Sequence, residues 1–392
     1  MKTLKRTWAD ISLDHLEYNY RSIRAHLPQG TKFLGVMKAD AYGHGAVPVS
    51  RALADLGAEY LAVSNLEEAV QIRRGEVRLP ILILGYTPAE YAANMIFLDI
   101  TQEVHSLEYA RELNEALAGT NYILNVHLKL DTGMTRIGFF AYDDERTLDE
   151  LRQVAQLPHL HIEGVFMHFC VADSRAEADV SFTKLQYKRF MDMLSAMAGV
   201  GIRPEIRHCC NSGATILYPE FALDMVRPGI ITYGNAPSDE LEGALSLRPM
   251  MSLHSMIAQV RTVPAGTDIS YGRLYRTKAE TRVAVLPIGY ADGLSRLLTG
   301  KASFYLQGKQ VPVIGRICMD MCMIDVSEVP EAKPGDVVTI FGYDDDGTLL
   351  PCERLARAQG TINYELLCQI SKRIPRICHR GAETSQILQY IV

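Results

Sequence analysis

Through roughly its first 235 residues the chain alternates short apolar runs of strand length with helical patterns, and that alternation restricts the folds open to it. The runs that read as strands are Phe33 to Met37, Tyr60 to Val63, Pro80 to Gly85, Asp99 to Val104, Ile123 to Lys129, Ile162 to Phe169, Glu205 to Cys209 and Leu223 to Arg227. Between them, "PVSRALADLG" and "SLEYARELNEALAG" space apolar residues at helical intervals and stop on Gly57 and Gly119. "SFTKLQYKRFMDMLSAMAG" is longer and amphipathic. Eight strands with about one helix after each point to an α/β fold, a (β/α)8 TIM-type barrel. A doubly wound open sheet is the alternative the same pattern allows.

Near Pro237 the character changes. "NAPSDELEGALSLRP" reads as a linker, and after it come short Val-, Ile- and Thr-rich runs separated by Gly and Pro. These predict a mostly β second domain ending in a helix, from "CERLARAQG" to "YELLCQISKRI". The expected division is a barrel over residues 11–239 and a β-rich domain over 240–392. Residues 1–10 join the latter, because the run near Trp8 to Ile11 reads as one of its strands. Asp344, Asp345 and Asp346 before Gly347 read as a hairpin turn. Cys318 and Cys322, four apart in "CMDMCMIDV", read as core thiols on one face of a strand.

Composition mainly excludes. The formal net charge of −6 leaves no nucleic-acid footprint, and no run approaches the roughly 20 apolar residues that span a bilayer. The first sixteen residues lack the apolar core of a secretory signal, so the eight cysteines read as reduced thiols in a cytoplasmic enzyme. "GHG" at Gly43 to Gly45 is too short for a dinucleotide fingerprint.

In a barrel the chemistry sits at the C-terminal ends of the strands. There the sequence places Lys38 after the first strand and Lys129 at the fifth, with Arg136 beyond it. His168 ends the sixth, His208, Asn211 and Ser212 the seventh, and Arg227, Gly229 and Ile230 the eighth. A mouth lined with Lys, His and Arg suits an anionic ligand. Gly229 and Ile230, with Ser212 opening a helix, offer N–H groups and a hydroxyl where barrels hold phosphate. Lys38, in a neighbouring position on the circle, is of the type that forms Schiff bases when partly desolvated. Phosphate, aldehyde and lysine together suggest pyridoxal 5'-phosphate, although a lysine-dependent aldolase acting on a sugar phosphate fits the same facts. No metal is implied.

Eight segments in order carry a resemblance. "VMKADAYGHG", "HLKLDTGMTRIG", "MHF", "NSGA" and "VRPGI", then "ISYGRLY" with "PIGYADG" and "GRICMDM" in the second domain, make the chain similar to the alanine racemases, barrel-type pyridoxal-phosphate enzymes, over essentially its whole length. The resemblance implies that Lys38 holds the cofactor and serves as one acid–base group. Tyr271 is implied as the other, reaching the site of a partner subunit in a homodimer. Tyr42, Asn211, Ser212, Gly229 and Ile230 are implied in cofactor binding, and Arg227 as the partner of the ring nitrogen. Arg136 is implied as a donor to the cofactor's phenolic oxygen and to substrate, and Met319 as a contributor to substrate carboxylate binding. His168 is implied beside Tyr271, His208 as a support for Arg227, and Lys129 as a carbamylated lysine that orients Arg136. Without a carbamate, Lys129 would pair with Asp131 or Glu205.

The implied reaction is interconversion of L- and D-alanine, supplying D-alanine for peptidoglycan precursors. Two bases on opposite faces of an α-carbon suffice for it, and Lys and Tyr need lowered pKa values to act near neutrality. One departure stands out: Lys372 in "ISKRIPRIC" aligns with a channel tyrosine of some members. Serine or another small amino acid is therefore an alternative substrate. A barrel-type pyridoxal-phosphate amino-acid decarboxylase and a non-catalytic cofactor-binding protein are the rival functions.

Overall fold

A computed structural model describes residues 6–142 and 144–391. They pack as two compact units, one of Leu16–Ala41 with Ala46–Arg248, the other of the residues up to His15 with Tyr42–Gly45 and Pro249 onward.

The first unit is a parallel barrel. Its eight strands run Lys32–Val36, Tyr60–Val63, Ile81–Ile83, Ile100–Val104, Leu124–Asp131, Leu160–Phe166, Ile206–His208 and Met225–Val226, each paired in parallel with the next through the seventh. The eighth pairs with the first. Asp224 N to Arg207 O (3.1 Å) and Arg227 N to Cys210 O (2.9 Å) close the circle between seventh and eighth. The open-sheet alternative is therefore excluded. The strands are short and buried on both faces, which is why they read as near-continuous apolar runs. The helices between them begin on side-chain caps where the sequence offers them. Asn65 accepts from Glu68 N, and Ser106 accepts from Tyr109 N.

One strand pair is irregular. Between the fifth and sixth strands the register shifts after Val126–Ile162, so that His127 pairs with Gly164 and Glu163 is left as the extra residue of a bulge. A Cβ on Gly164 would lie 2.5 Å from the His127 ring. The glycine is what lets that imidazole sit inside the barrel.

The residues after the first strand form an unexpected turn. Ala39, Asp40, Ala41 and Tyr42 all have φ between 52° and 54°, a single left-handed turn built without glycine. Such a conformation costs an L-residue roughly 1–2 kcal/mol, so the surroundings must hold it. Met37 O accepts from Ala41 N (2.8 Å), Glu68 accepts from Ala39 N (2.6 Å) and Asp40 accepts from Ala46 N (2.8 Å).

The second unit is mostly β. Thr7–Ser12 pairs antiparallel with Met251–Met256 and parallel with Arg376–Arg380. A three-stranded sheet of Gln259–Val263, Thr281–Leu286 and Cys322–Asp325 lies beside a small hairpin, Asp268–Ile269 with Tyr275–Arg276. The aspartate triplet is a turn: Asp344 accepts from Asp346 N and Thr348 N. Two expectations are corrected. The chain does not end on a helix, because Arg376–Arg380 and Glu383–Leu388 follow the helices Cys352–Gln359 and Asn363–Gln369 and continue the sheet. Cys318 and Cys322 do not share a strand face. The strand begins at Cys322, and Cys318 lies in a turn where its N–H bonds Met321 O.

Gly289 makes that turn possible. Its N–H bonds Asp292, and a Cβ there would lie 2.3 Å from the carbonyl oxygens of Cys318 and Met319. Gly289→Ala is expected to lower stability by about 2 kcal/mol, the scale of overpacking against rigid backbone. An unchanged urea midpoint would show that the turn gives way freely.

Candidate active site

The parallel strands bring most of the candidate residues to one mouth. Arg227 follows the eighth strand and is 4% exposed. Its guanidinium donates to His208 Nδ1 (3.0 Å), Met167 O (2.7 Å), Cys209 O (3.2 Å) and His168 Nδ1 (3.3 Å). Every one of these acceptors is neutral. Burial pulls Arg227 down to about 10, which still leaves it cationic at neutral pH. Phe166 packs against this cluster, with His208 stacked on its ring (4.9 Å) and Arg227 and Lys129 over it (5.3 and 5.5 Å).

Arginine is a donor only, so its partners' tautomers follow. His208 and His168 both accept at Nδ1 and carry their proton on Nε2. Burial, followed by the positive field of Arg227, holds both well below the usual imidazole value. Lys129, Arg136 and Lys38 add to that field at His168.

Lys129 lies within the fifth strand, 3% exposed, and donates to Leu130 O (2.9 Å). It pairs with neither Asp131 nor Glu205: Asp131 is occupied by the N–H groups of Gly133 and Thr135. Burial, then Arg227, brings its amine down to about 7.

Around the seventh and eighth strands, Ser212 Oγ accepts from Gly229 N (2.9 Å), and Ile230 opens the turn Ile230–Tyr233. Asn211 caps the helix Ser212–Leu217, accepting from Ala214 N (3.0 Å) and donating to Phe169 O (3.2 Å). Its side chain is thus engaged in building the turn. Lys38 is exposed at the start of the left-handed turn, and Arg136 is exposed in the loop after the fifth strand. Sequence reasoning passed over Phe166, His127 and Glu163. His127 and Glu163 lie inside strands and Phe166 is the last residue of one; for the first two the clue was polar residues in "VHLKLD" and "IEGVF" where a barrel strand is ordinarily apolar.

The second unit holds the remaining candidates by itself. Tyr271 sits at the tip of the small hairpin and is 70% exposed. Ser270 before it has φ 65° and is pinned by its hydroxyl to Arg316 O (2.7 Å). Tyr271 and Met319 line one depression of about 620 Å³ with Ile269, Met321 and Met323. Tyr42 is buried, and burial pushes its phenol up, so it stays protonated. Lys372 lines a separate basic depression with Arg6 and Arg373, its amine 5.8 Å from the Tyr390 ring.

A parallel barrel with a cationic mouth and a lysine on its first strand end, joined to a β unit presenting an exposed tyrosine, defines a class of two-unit barrel enzymes. The comparisons identify which. The alanine racemase N-terminal domain family matches residues 11–237 and the alanine racemase C-terminal domain family matches residues 250–378. The chain is 46% identical to the alanine racemase of Desulfovibrio desulfuricans over 94% of its own length and 97% of that protein. It is 42% identical to that of Clostridium tetani over the whole of both. The solved alanine racemase of Clostridium difficile 630 superposes with a TM-score of 0.94 at 39% identity, covering all of both chains. The same enzyme in complex with cycloserine gives 0.91 at 38%, again over all of both chains. The chain belongs to the alanine racemase family.

The depressed Lys129 amine has a thermodynamic consequence. Between its folded value of about 7 and the ordinary lysine range, the unfolded chain binds a proton the folded chain does not, so this group makes stability rise with pH there. Lys129→Met is expected to remove a rise of about 1 kcal/mol per pH unit between pH 7.5 and 9. Equal pH slopes for the two proteins in urea unfolding would refute the depressed amine.

Proposed function

We propose that this chain is a pyridoxal-phosphate-dependent alanine racemase, using Lys38 and Tyr271 as its two acid–base groups. Family membership supports the activity. The observation that most favours the cofactor is the buried Arg227 guanidinium, hydrogen-bonded to neutral acceptors in a cationic mouth. That donor set suits an anionic ligand whose ring nitrogen accepts a hydrogen bond and stays unprotonated. The Ser212 hydroxyl and the backbone of Gly229 and Ile230, brought together by the Ser212–Gly229 hydrogen bond, suit its phosphate.

When bound, the cofactor supplies an electron sink for the substrate's α-carbon. The chain's own groups do the rest. Lys38 would hold the cofactor and move a proton at Nζ on one face of the substrate. Tyr271 of a second copy would move the other proton at its phenolic oxygen. His168 accepts from Arg227 at Nδ1 and so has a proton on Nε2 to offer that phenolic oxygen. This favours the phenolate and with it the role of a base. Arg136 and Met319 would meet the substrate carboxylate. Arg136 would be steadied by Lys129, whose amine near 7 is neutral enough to take up carbon dioxide as a carbamate. The exposure of Tyr271 supports the homodimer: a catalytic tyrosine that open to water needs a second surface to cover it. The reaction would serve D-alanine supply for cell-wall precursors in the cytoplasm.

The decisive test is α-proton exchange in deuterium oxide, followed by NMR and polarimetry, with L-alanine and L-serine and added pyridoxal phosphate. Wild type is expected to exchange and racemise alanine faster than serine. Tyr271→Phe is expected to lose at least about 100-fold in racemisation, the scale of one general acid–base group. Faster serine turnover would move the substrate assignment to serine and point to Lys372. Release of carbon dioxide without racemisation would overturn the reading in favour of a decarboxylase.

A further inference from the structure

Behind Arg227 a chain of buried groups runs through the barrel interior. His208 Nε2 lies 2.8 Å from His127 Nδ1, and His127 Nε2 lies 3.0 Å from Glu163 Oε2. Glu163 also accepts from Tyr60 (2.9 Å) and Thr101 (3.3 Å). Both imidazoles are fully buried. The direction of the chain is fixed at both ends. Arginine can only donate, so His208 Nδ1 accepts and its Nε2–H donates to His127 Nδ1. That leaves His127 Nε2–H to donate to a carboxylate, which can only accept.

Two further features serve this arrangement. The bulge leaves Glu163 without a partner on the fifth strand, while its carbonyl still accepts from Glu205 N on the other side, and bulges re-aim side chains. Gly164 clears the space the His127 ring fills. The carboxylate is held in its charged form: burial opposes this, and the hydrogen bonds from His127, Tyr60 and Thr101 outweigh it.

We propose that Glu163 and His127 are positioning residues for Arg227. The Glu163 carboxylate sets the polarity of a chain of two neutral imidazoles, and that polarity holds the guanidinium in one orientation at the barrel mouth. The buried cation thereby receives a distant counter-charge without a carboxylate beside it. A carboxylate in direct contact would compete with an anionic or neutral acceptor presented at the mouth, whereas a polarised imidazole fixes the guanidinium and leaves its outer edge to donate. This rests on the reading of Arg227 as the partner of the cofactor ring.

The test has one arm that does not depend on that reading. In the 15N-histidine-labelled holoenzyme, His208 and His127 should each show one tautomer, protonated at Nε2, unchanged from pH 6 to 8.5. In Glu163→Gln the amide presents both donors and an acceptor, so the direction is no longer enforced and both histidines should show mixed tautomers. Glu163→Asp should restore the single tautomer. Wild-type-like histidine signals in Glu163→Gln would overturn the proposal whatever the enzyme's substrate. The second arm is kinetic. Glu163→Gln should lower kcat about tenfold with KM within about twofold, the lower end of what losing an orienting partner behind a functional group costs. It should also shift the cofactor's absorbance band, and Glu163→Asp should recover both. Mixed tautomers with unchanged kcat and absorbance would retain the polarised chain but overturn its action on the ring, and with it the assigned role of Arg227. Gly164→Ala, which displaces the His127 ring while keeping Glu163, should reproduce the Glu163→Gln spectrum, and a wild-type spectrum there would count against the proposal.

Discussion

The barrel is organised around a buried arginine that has no ion pair with a carboxylate among the described residues. Removing a guanidinium from water costs several kcal/mol unless its N–H groups are met, and Arg227 meets them with two imidazole nitrogens and two backbone carbonyls. Much of the interior follows from that choice. Layers that ordinarily hold Val, Ile and Leu hold His127, Lys129, His208 and Phe166 instead. Burial first, and then the same charge, hold the imidazoles in their neutral forms and bring Lys129 to about 7. Burial and one cation thus act together on the protonation of their neighbours.

The second constraint is the turn that carries Lys38. Four non-glycine residues in the left-handed region are unfavourable, and the turn persists because Glu68, Asp40 and Met37 each take a backbone N–H from it or from the helix that follows. Glu68 does this from a helix capped by Asn65 and also accepts from Ser64 N, so it is fixed before it binds the turn. The strain is local and its support is rigid, a common arrangement where one side chain must leave a strand end in a single direction.

How far this was legible depends on what kind of signal each feature leaves. The barrel strands were readable because burial on both faces makes them continuous apolar runs, and Tyr60–Val63 was placed to the residue. The mouth residues were readable because strand ends in such a fold are where chemistry collects. The chain of Glu163, His127 and His208 was half hidden: His208 ends a strand, but His127 and Glu163 lie inside strands, and only a bulge and the absent side chain of Gly164 bring them together. A register shift leaves no mark in periodicity. The left-handed turn was hidden for a similar reason, since Ala, Asp, Ala and Tyr carry no preference for it and tertiary hydrogen bonds impose it. The two strands after the last helix were missed because "RICHRGAETSQIL" has polar residues on both faces; of the two, only Glu383–Leu388 is the sheet edge, with Arg376–Arg380 paired on both sides.

The division of labour between the two units follows from how each is built. The barrel unit can bury and tune its own cations because eight strands surround them. The hairpin carrying Tyr271 cannot tune anything: its tip stands in water beside Leu274, Met319 and Met321, all about half exposed or more. An apolar rim of that kind around a polar group is what an incomplete site looks like before a second surface closes it. The strained Ser270 and its bond to Arg316 O hold the backbone before Tyr271 at the tip. On the proposed reading, fixing Tyr271 within one unit and leaving its surroundings to a second copy would make the second proton-transfer group dependent on assembly. An isolated protomer would then keep the cofactor-binding cations and lack a competent base on one face of the substrate.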